Sequence, residues 1–142
     1  MSNWLKIKRL DKELPLPSYQ TSGANGIDLY IAEDIMILPH SDEKFGFGIA
    51  VEIPKNYVGV ITTRSGIGFN KSVESRMGII DFDFRGEIKG KFYNHSSQMV
   101  CFKKGDRVAQ LLVIPCPQMI IEEVEELSTT KRGSGGLGST GK

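Results

Sequence analysis

Apolar residues recur at every second position along much of this chain. Phe45, Phe47, Ile49, Val51 and Ile53 alternate with small or polar residues over nine positions. Ile27, Leu29 and Ile31 alternate with Asp28 and Tyr30, and Ile88, Gly90 and Phe92 alternate with Lys89 and Lys91. A period of two puts one set of side chains on one face of a strand. Val108, Leu111, Leu112, Val113 and Ile114 make a nearly continuous apolar run, as in a strand buried on both faces. Breakers at residues 39–42, 54–56, 94–97 and 103–106 separate the runs. Many short strands at close spacing predict an all-β domain, a jelly roll, sandwich or β-barrel.

Two stretches depart from that pattern. In residues 119–127, MIIEEVEEL, the apolar Ile120, Ile121, Val124 and Leu127 fall at helical spacing. This predicts a short helix, with a strand turning into an exposed tail as the alternative. Beyond it, five of the final ten residues are glycine, and Leu137 is the only apolar side chain in residues 128–142. Such a segment buries too little surface to offset its ordering entropy, so composition alone reads it as a disordered tail. The same glycines, with Arg132, Ser139 and Thr140, also offer the N–H and O–H donors of an arm that orders over a phosphate.

Length and charge narrow the function. The 142 residues fit one domain with one core. With 18 basic and 17 acidic residues the formal net charge is +1, which leaves no broad basic field for gripping nucleic acid. A single small anion held by a few local cations remains compatible. Cys101 and Cys116 are too few for a disulfide framework and have no metal-ligand spacing; they read as reduced thiols filling the role of small apolar residues. The first ten residues alternate charge with apolar side chains, unlike a signal peptide or a membrane span. A soluble intracellular protein is expected.

Four segments could carry chemistry. Asp81 follows the apolar pair Ile79-Ile80, and Asp83 lies two residues on; on a strand the two carboxylates would share a face. Arg85-Gly86 reads as the turn of a β-hairpin. Arg64-Ser65-Gly66, after a β run, could present a guanidinium, a hydroxyl and N–H groups to a phosphate, or be an ordinary turn. Gln110, polar among apolar neighbours, must find partners and is structural or ligand-binding. Asp28 follows the turn at Asn25-Gly26. His40 and His95 sit singly in polar turns and read as surface residues. The glutamates 122, 123, 125 and 126 read as a solvated acidic face.

Taken in order, these segments resemble the five sequence motifs of the trimeric dUTPase family. ANGIDLYIAED (24–34) looks like the first, TTRSGIG (62–68) the second, RMGIIDFDFRGEI (76–88) the third, GDRVAQLLV (105–113) the fourth and RGSGGLGSTG (132–141) the fifth. The resemblance implies a jelly-roll-like β-barrel forming a homotrimer, with active sites at subunit interfaces. It divides the chain into a β domain, residues 1–127, and an arm, 128–142, that closes over a site. It also makes residues 119–127 a strand leading into the arm, against the helical spacing.

The implied reaction is hydrolysis of dUTP to dUMP and pyrophosphate, with water attacking the α-phosphorus. Asp81 matches the carboxylate that orients and activates this water, which requires an acceptor within hydrogen-bond reach of it. A triphosphate carries about four negative charges, and its transfer chemistry needs them held and screened. The resemblance assigns Mg2+ to that task, with Asp28 reaching the ion through water and no protein cage. Arg64, Ser65, Gly66 and Gln110 would bind phosphates, and Arg132, Ser139 and Thr140 would clamp the γ-phosphate end. Gly78, Ile79, Ile80 and Lys89 would form the uracil pocket, Phe84 the wall against deoxyribose, and Leu137 with Gly138 the lid. Several positions depart from the family pattern. Leu137 stands in place of a stacking Phe, Phe84 in place of Tyr, Ser75 in place of Asn, and Met77 is bulkier than usual. Arg107 would bind phosphate or hold a subunit interface. The rival readings are a dCTP deaminase, which would use a glutamate such as Glu87, and a dUTP-binding regulatory trimer.

Overall fold

A computed structural model of the chain describes residues 3–76 and 78–141. Met77 lies outside the described residues. Ten strands and one short helix follow in the order β1 (Lys6–Arg9), β2 (Ile27–Tyr30), β3 (Ile35–Ile37), β4 (Asp42–Glu52), β5 (Tyr57–Thr63), α1 (Ser65–Lys71), β6 (Val73–Ser75), β7 (Gly78–Ile80), β8 (Glu87–Asn94), β9 (Val100–Phe102) and β10 (Arg107–Pro115). The strands form two four-stranded antiparallel sheets, ordered β1-β4-β8-β6 and β2-β10-β5-β7, and the pair β3-β9. The all-β expectation is borne out as a jelly roll. The two large sheets face each other without closing into a single ring of strands.

Period-two burial explains the facing. From β4, Phe45, Phe47, Ile49 and Val51 point into the same core as Leu29 of β2, Ile61 of β5, Leu111 of β10 and Ile88 and Phe92 of β8. Phe45 meets Phe47 and Phe92 edge-on, with ring centroids 5.5 and 4.9 Å apart. Such pairs contribute about 0.5–1.5 kcal/mol each beyond area burial.

The alternate residues of β4 are Gly46, Gly48 and Ala50, and they are buried too. Their small size admits other groups onto the outer face. The Leu10 and Asp11 N–H groups donate to the Gly48 carbonyl at 2.8 and 3.1 Å, and Ala32 N–H donates to Gly46. Opposite, the register runs from Gly46↔Lys89 to Ala50↔Glu87, so four residues of β4 span two of β8. Gly48, at φ 65°, takes up this bulge in a conformation that favours glycine.

Ion pairs pin the turn that feeds β10. Lys104 Nζ lies 2.9 Å from Asp11 Oδ2 and 2.6 Å from Glu13 Oε2. Lys104 N–H also donates to Asp34 Oδ1 at 2.8 Å. These contacts hold Asp11 and Asp34 below the ordinary carboxylate value. For Asp11 the largest cause is the hydrogen bond from Lys104 Nζ, and for Asp34 it is the Lys104 N–H. Lys104 is raised in return, first by Glu13 and then by Asp11.

Candidate active site

Strand β10 is central to the β2-β10-β5-β7 sheet, and it aligns three of the candidate segments. Gln110 stands opposite Asp28 of β2 on one side and Thr62 of β5 on the other. Its side chain lies over Gly26, where a Cβ would collide with the carboxamide. Glycine before Asp28 is therefore needed to seat Gln110, beyond any need for a turn.

Where β5 ends, Arg64 begins the helix α1. Its backbone is extended, at φ −66° and ψ 145°, and Ile67 and Gly68 N–H donate to its carbonyl at 3.0 Å. Of the two readings open for this segment, a phosphate-binding element or an ordinary turn, neither included a helix, and the chain makes one of seven residues. Ser65 and Gly66 are exposed, and nothing stands within 4 Å of a Cβ built on Gly66. The backbone there is open to a ligand.

The Arg64 side chain turns back to the sheet. Its Nε lies 3.2 Å from Asp28 Oδ2, and its Nη1 donates to the Arg107 carbonyl at 2.9 Å. Arg107 Nη1 approaches the same carboxylate oxygen at 3.4 Å. The Asp28 side chain is 9% exposed, against 36% and 37% for the two arginines. One buried carboxylate thus anchors two half-exposed guanidiniums, leaving a local charge of +1. The role of Arg107 was left open in the sequence; its place beside Asp28 brings it into this cluster.

Asp81 lies elsewhere. Strand β7 stops at Ile80, and Asp81 starts a turn in which Phe84 N–H donates to the Asp81 carbonyl at 3.1 Å. The two carboxylates of Asp81 and Asp83 are exposed on this turn and do not share a strand face. Nor does β7 form a ladder hairpin with β8: it pairs with β5, while β8 pairs with β4 and β6 in the other sheet. The turn crosses between sheets. Within it Phe84, 37% exposed, rests on Gly86, whose missing Cβ would lie 2.6 Å from the ring. Gly78 and Ile79 pair with Ile61 and Val60. Lys89 projects from the exposed face of β8, opposite Gly46.

The register separates Asp81 from the arginine cluster. Ile80 stands opposite Gly59, five positions before Arg64. Asp81 therefore falls level with Val58, six positions before Arg64, and at a strand rise of about 3.3 Å per residue the two sit roughly 20 Å apart in one chain.

After Pro115 the chain leaves the sheet, with Cys116 N–H donating to the Asn56 carbonyl at 2.7 Å. Residues 119–127 form neither the helix that their spacing predicts nor a strand. They are irregular, with a bend at Glu125, and Ile120, Ile121 and Leu127 are exposed to 99%, 95% and 89%. Without a neighbouring surface there is nothing for a helical face to bury against. Hydrogen bonds of the arm are local, including Arg132 Nε to the Gly135 carbonyl at 2.9 Å and Ser139 N–H to the Gly136 carbonyl at 3.1 Å. Arg132, Ser139 and Thr140 are exposed, and so is Leu137, which holds a left-handed φ of 48° before Gly138 at 87°.

Some contacts had no local sequence signal. Ser75 N–H donates to Thr63 Oγ1 at 2.6 Å. His95 is an exposed residue, as expected, but not an isolated one: its Nε2 lies 2.7 Å from Glu74 Oε2 and its ring sits 4.6 Å from that of Tyr93 at a 60° tilt. Glu74 is 21 positions away, beyond any spacing rule. Cys101 and Cys116 are both free and exposed, so neither fills a core position.

A family model described as dUTPase matches residues 12–141, a stretch that includes every residue of this site. The chain belongs to the dUTPase family. Similar proteins include the deoxyuridine 5'-triphosphate nucleotidohydrolases of Nautilia profundicola, 46% identical over 97% of this chain and 99% of that one, and of Hydrogenobaculum sp., 41% identical over 96% and 97%. Among solved structures, the dUTPase of Staphylococcus bacteriophage 80alpha with bound dUpNHpp superposes with a TM-score of 0.88 and 27% identity, covering 99% of this chain and all of that one. The matched range spans all five of the segments singled out in the sequence.

Proposed function

We propose that this dUTPase hydrolyses dUTP to dUMP and pyrophosphate by attack of water on the α-phosphorus. The match over residues 12–141 carries this reading, because it includes a carboxylate, a phosphate-binding arginine cluster and a glycine-rich arm within one family pattern. Asp81, exposed on its turn, accepts a hydrogen bond from the attacking water and takes up its proton. Arg64, Ser65, Gly66 and Gln110 hold the phosphates, and Arg132, Ser139 and Thr140 of the arm clamp the far end. Gly78, Ile79, Ile80 and Lys89 surround the uracil, Phe84 walls off the sugar, and Leu137 and Gly138 cover the base. A fixed donor–acceptor edge rejects cytosine because buried polar groups would go unpaired.

The working unit is a homotrimer. Three observations support it: the roughly 20 Å along β5 between Asp81 and Arg64, the arm's local hydrogen bonding, and the bare apolar side chains at residues 119–127. A site assembled from neighbouring chains brings the base-side turn of one protomer to the arginines of another, and residues 128–142 close over it.

Among the described residues no three His, Cys, Asp or Glu side chains come together as a metal cage. That donor set fits Mg2+ held by phosphate oxygens and water, with Asp28 the one buried carboxylate beside the phosphate-binding side chains. When bound, the ion screens the phosphate charge. Asp28 would hold it through water, and the arginines and arm supply the remaining positive charge.

Pyrophosphate release with Mg2+ present, compared across dUTP, dTTP, dCTP and UTP, tests the activity. Turnover of dUTP far above the other three is expected. Ammonia released from dCTP, with no pyrophosphate from dUTP, would instead establish the deaminase. The glutamate that deaminase needs, Glu87, rests its carboxylate against Gly46 at the start of β8, in the sheet that does not contain β7.

A further inference from the structure

The Asp28 carboxylate does more than face the phosphate site. We infer that Asp28 is a positioning residue: it fixes the Arg64 guanidinium in its phosphate-binding pose before substrate or metal arrives, with Arg107 completing the clamp. The inference rests on the reading of Arg64 as a phosphate ligand.

The geometry is specific. Arg64 is held at two points, its Nε at Asp28 Oδ2 (3.2 Å) and its Nη1 at the Arg107 carbonyl (2.9 Å). Its backbone is tied as well, with Arg64 N–H donating to the Val108 carbonyl at 3.3 Å. A guanidinium is a rigid plane, so an ion contact at Nε and one hydrogen bond from Nη1 together fix the direction of its remaining donors. With the side chain 36% exposed, those remaining donors are accessible. Asp28 is itself immobilised: it is nearly buried, its N–H donates to the Ser18 carbonyl at 3.3 Å, it stands opposite Gln110, and Arg107 Nη1 shares its Oδ2 at 3.4 Å. A long side chain fixed in advance loses less freedom on binding, and the affinity gained is that difference.

Asp28 can act through a metal, through the local field or through Arg64, and Asp28→Asn separates these by sign. If it acts only through Mg2+, the variant binds dUpNHpp normally in EDTA. If only the field matters, removing a negative charge tightens anion binding. If it positions Arg64, the variant binds more weakly in EDTA, by roughly 5- to 30-fold, the range set by one loosened side chain. Calorimetry of dUpNHpp in EDTA with the full chain measures this, and Asp28→Asn on an Arg64→Ala background should cost nothing further. Unchanged or tighter binding by Asp28→Asn, while Arg64→Ala binds weakly, overturns positioning and leaves the phosphate role of Arg64 intact. Normal binding by Arg64→Ala removes the phosphate role and the positioning with it. Should Asp28→Asn fail to fold, the wild-type protein still decides. Its Arg64 Nε–H should give a protected, ordered NMR signal without ligand or metal, and a freely mobile one refutes the clamp.

Discussion

Alanine at Gly59 tests how the core reaches the proposed catalytic turn. Gly59 is buried in β5, opposite Ile80 of β7, the residue just before Asp81. A Cβ there would stand 2.8 Å from Ile53 Cδ1, 3.0 Å from Ile80 Cβ and 3.1 Å from Leu111 Cδ1. Carbon atoms prefer about 3.5–4.0 Å, so each contact is short by roughly 0.5–1 Å. Ile53 and Leu111 meet the new methyl with flexible tips. Ile80 meets it with Cβ, so β7 must move outward by about half an ångström and carry Asp81 with it. Overpacking of this kind costs about 1–3 kcal/mol, offset by up to about 1 kcal/mol because alanine suits a strand better than glycine. A net loss of about 1–2 kcal/mol is expected. A misplacement of about 1 Å can cost on the order of 100-fold in rate, so half that shift should lower kcat about 10-fold. KM should rise as well, because Ile79 and Ile80 of the proposed uracil pocket move with β7, while the phosphate contacts of Arg64 lie beyond the other end of β5. Urea unfolding and steady-state pyrophosphate release measure the two effects. Gly23→Ala, where nothing lies within 4 Å, is the control. If Gly59→Ala matches wild type within about 0.5 kcal/mol and turns over normally, the packing argument fails. A stability loss with unchanged kcat refutes only the link from Gly59 to Asp81.

Three further outcomes are expected. Asp81→Asn should keep dUTP binding and lose about 100- to 10,000-fold in kcat; near-normal turnover would remove Asp81 as the base. Deleting residues 132–142 should abolish turnover while sedimentation still reports a trimer; a monomer, with or without the arm, would undo the shared site. Lys104→Met should be less stable than wild type at neutral pH. Asp11 titrates below its ordinary value of 3.8 in the folded protein, chiefly through the Lys104 side chain, so that stabilisation is present above 3.8 and lost as pH falls through the lowered value; Asp34 keeps its bond from the Lys104 N–H in the variant. Lys104 is raised from 10.5, so its contribution is present below that value and lost as pH rises through the raised one. The melting-temperature gap between the two proteins should therefore narrow on acidification below 3.8; a constant gap would separate the stability of the β10 turn from these ion pairs.

What could be read before the fold was known follows from the range of each interaction. Alternation at Phe45, Phe47, Ile49 and Val51 located β4, because burial on a pleated strand imposes a period of two. The condition under which Asp81 and Asp83 would share a strand face is not met, because β7 ends one residue before Asp81, where the chain crosses to the other sheet. Helix α1 escaped notice since Ser65, Gly66 and Gly68 disfavour helix and no apolar stripe announces it. The family motifs picked out Asp28 and Arg64 separately, but their 3.2 Å contact joins residues 36 positions apart and depends on the pairing of β2, β10 and β5. Residues 119–127 misled in a different way. Their helical spacing is real, but an isolated short segment gains too little from it to hold a helix in water.

The composition of that segment bears on how an unassembled chain would behave. Four glutamates at 122, 123, 125 and 126 are interleaved with Met119, Ile120, Ile121, Val124 and Leu127. Without them, five exposed apolar residues within nine positions would be open to pairing with a strand of another chain. Charge repulsion between neighbouring copies blocks indiscriminate stacking, so the acids act as gatekeepers while the chain waits for a surface that can cover its apolar residues.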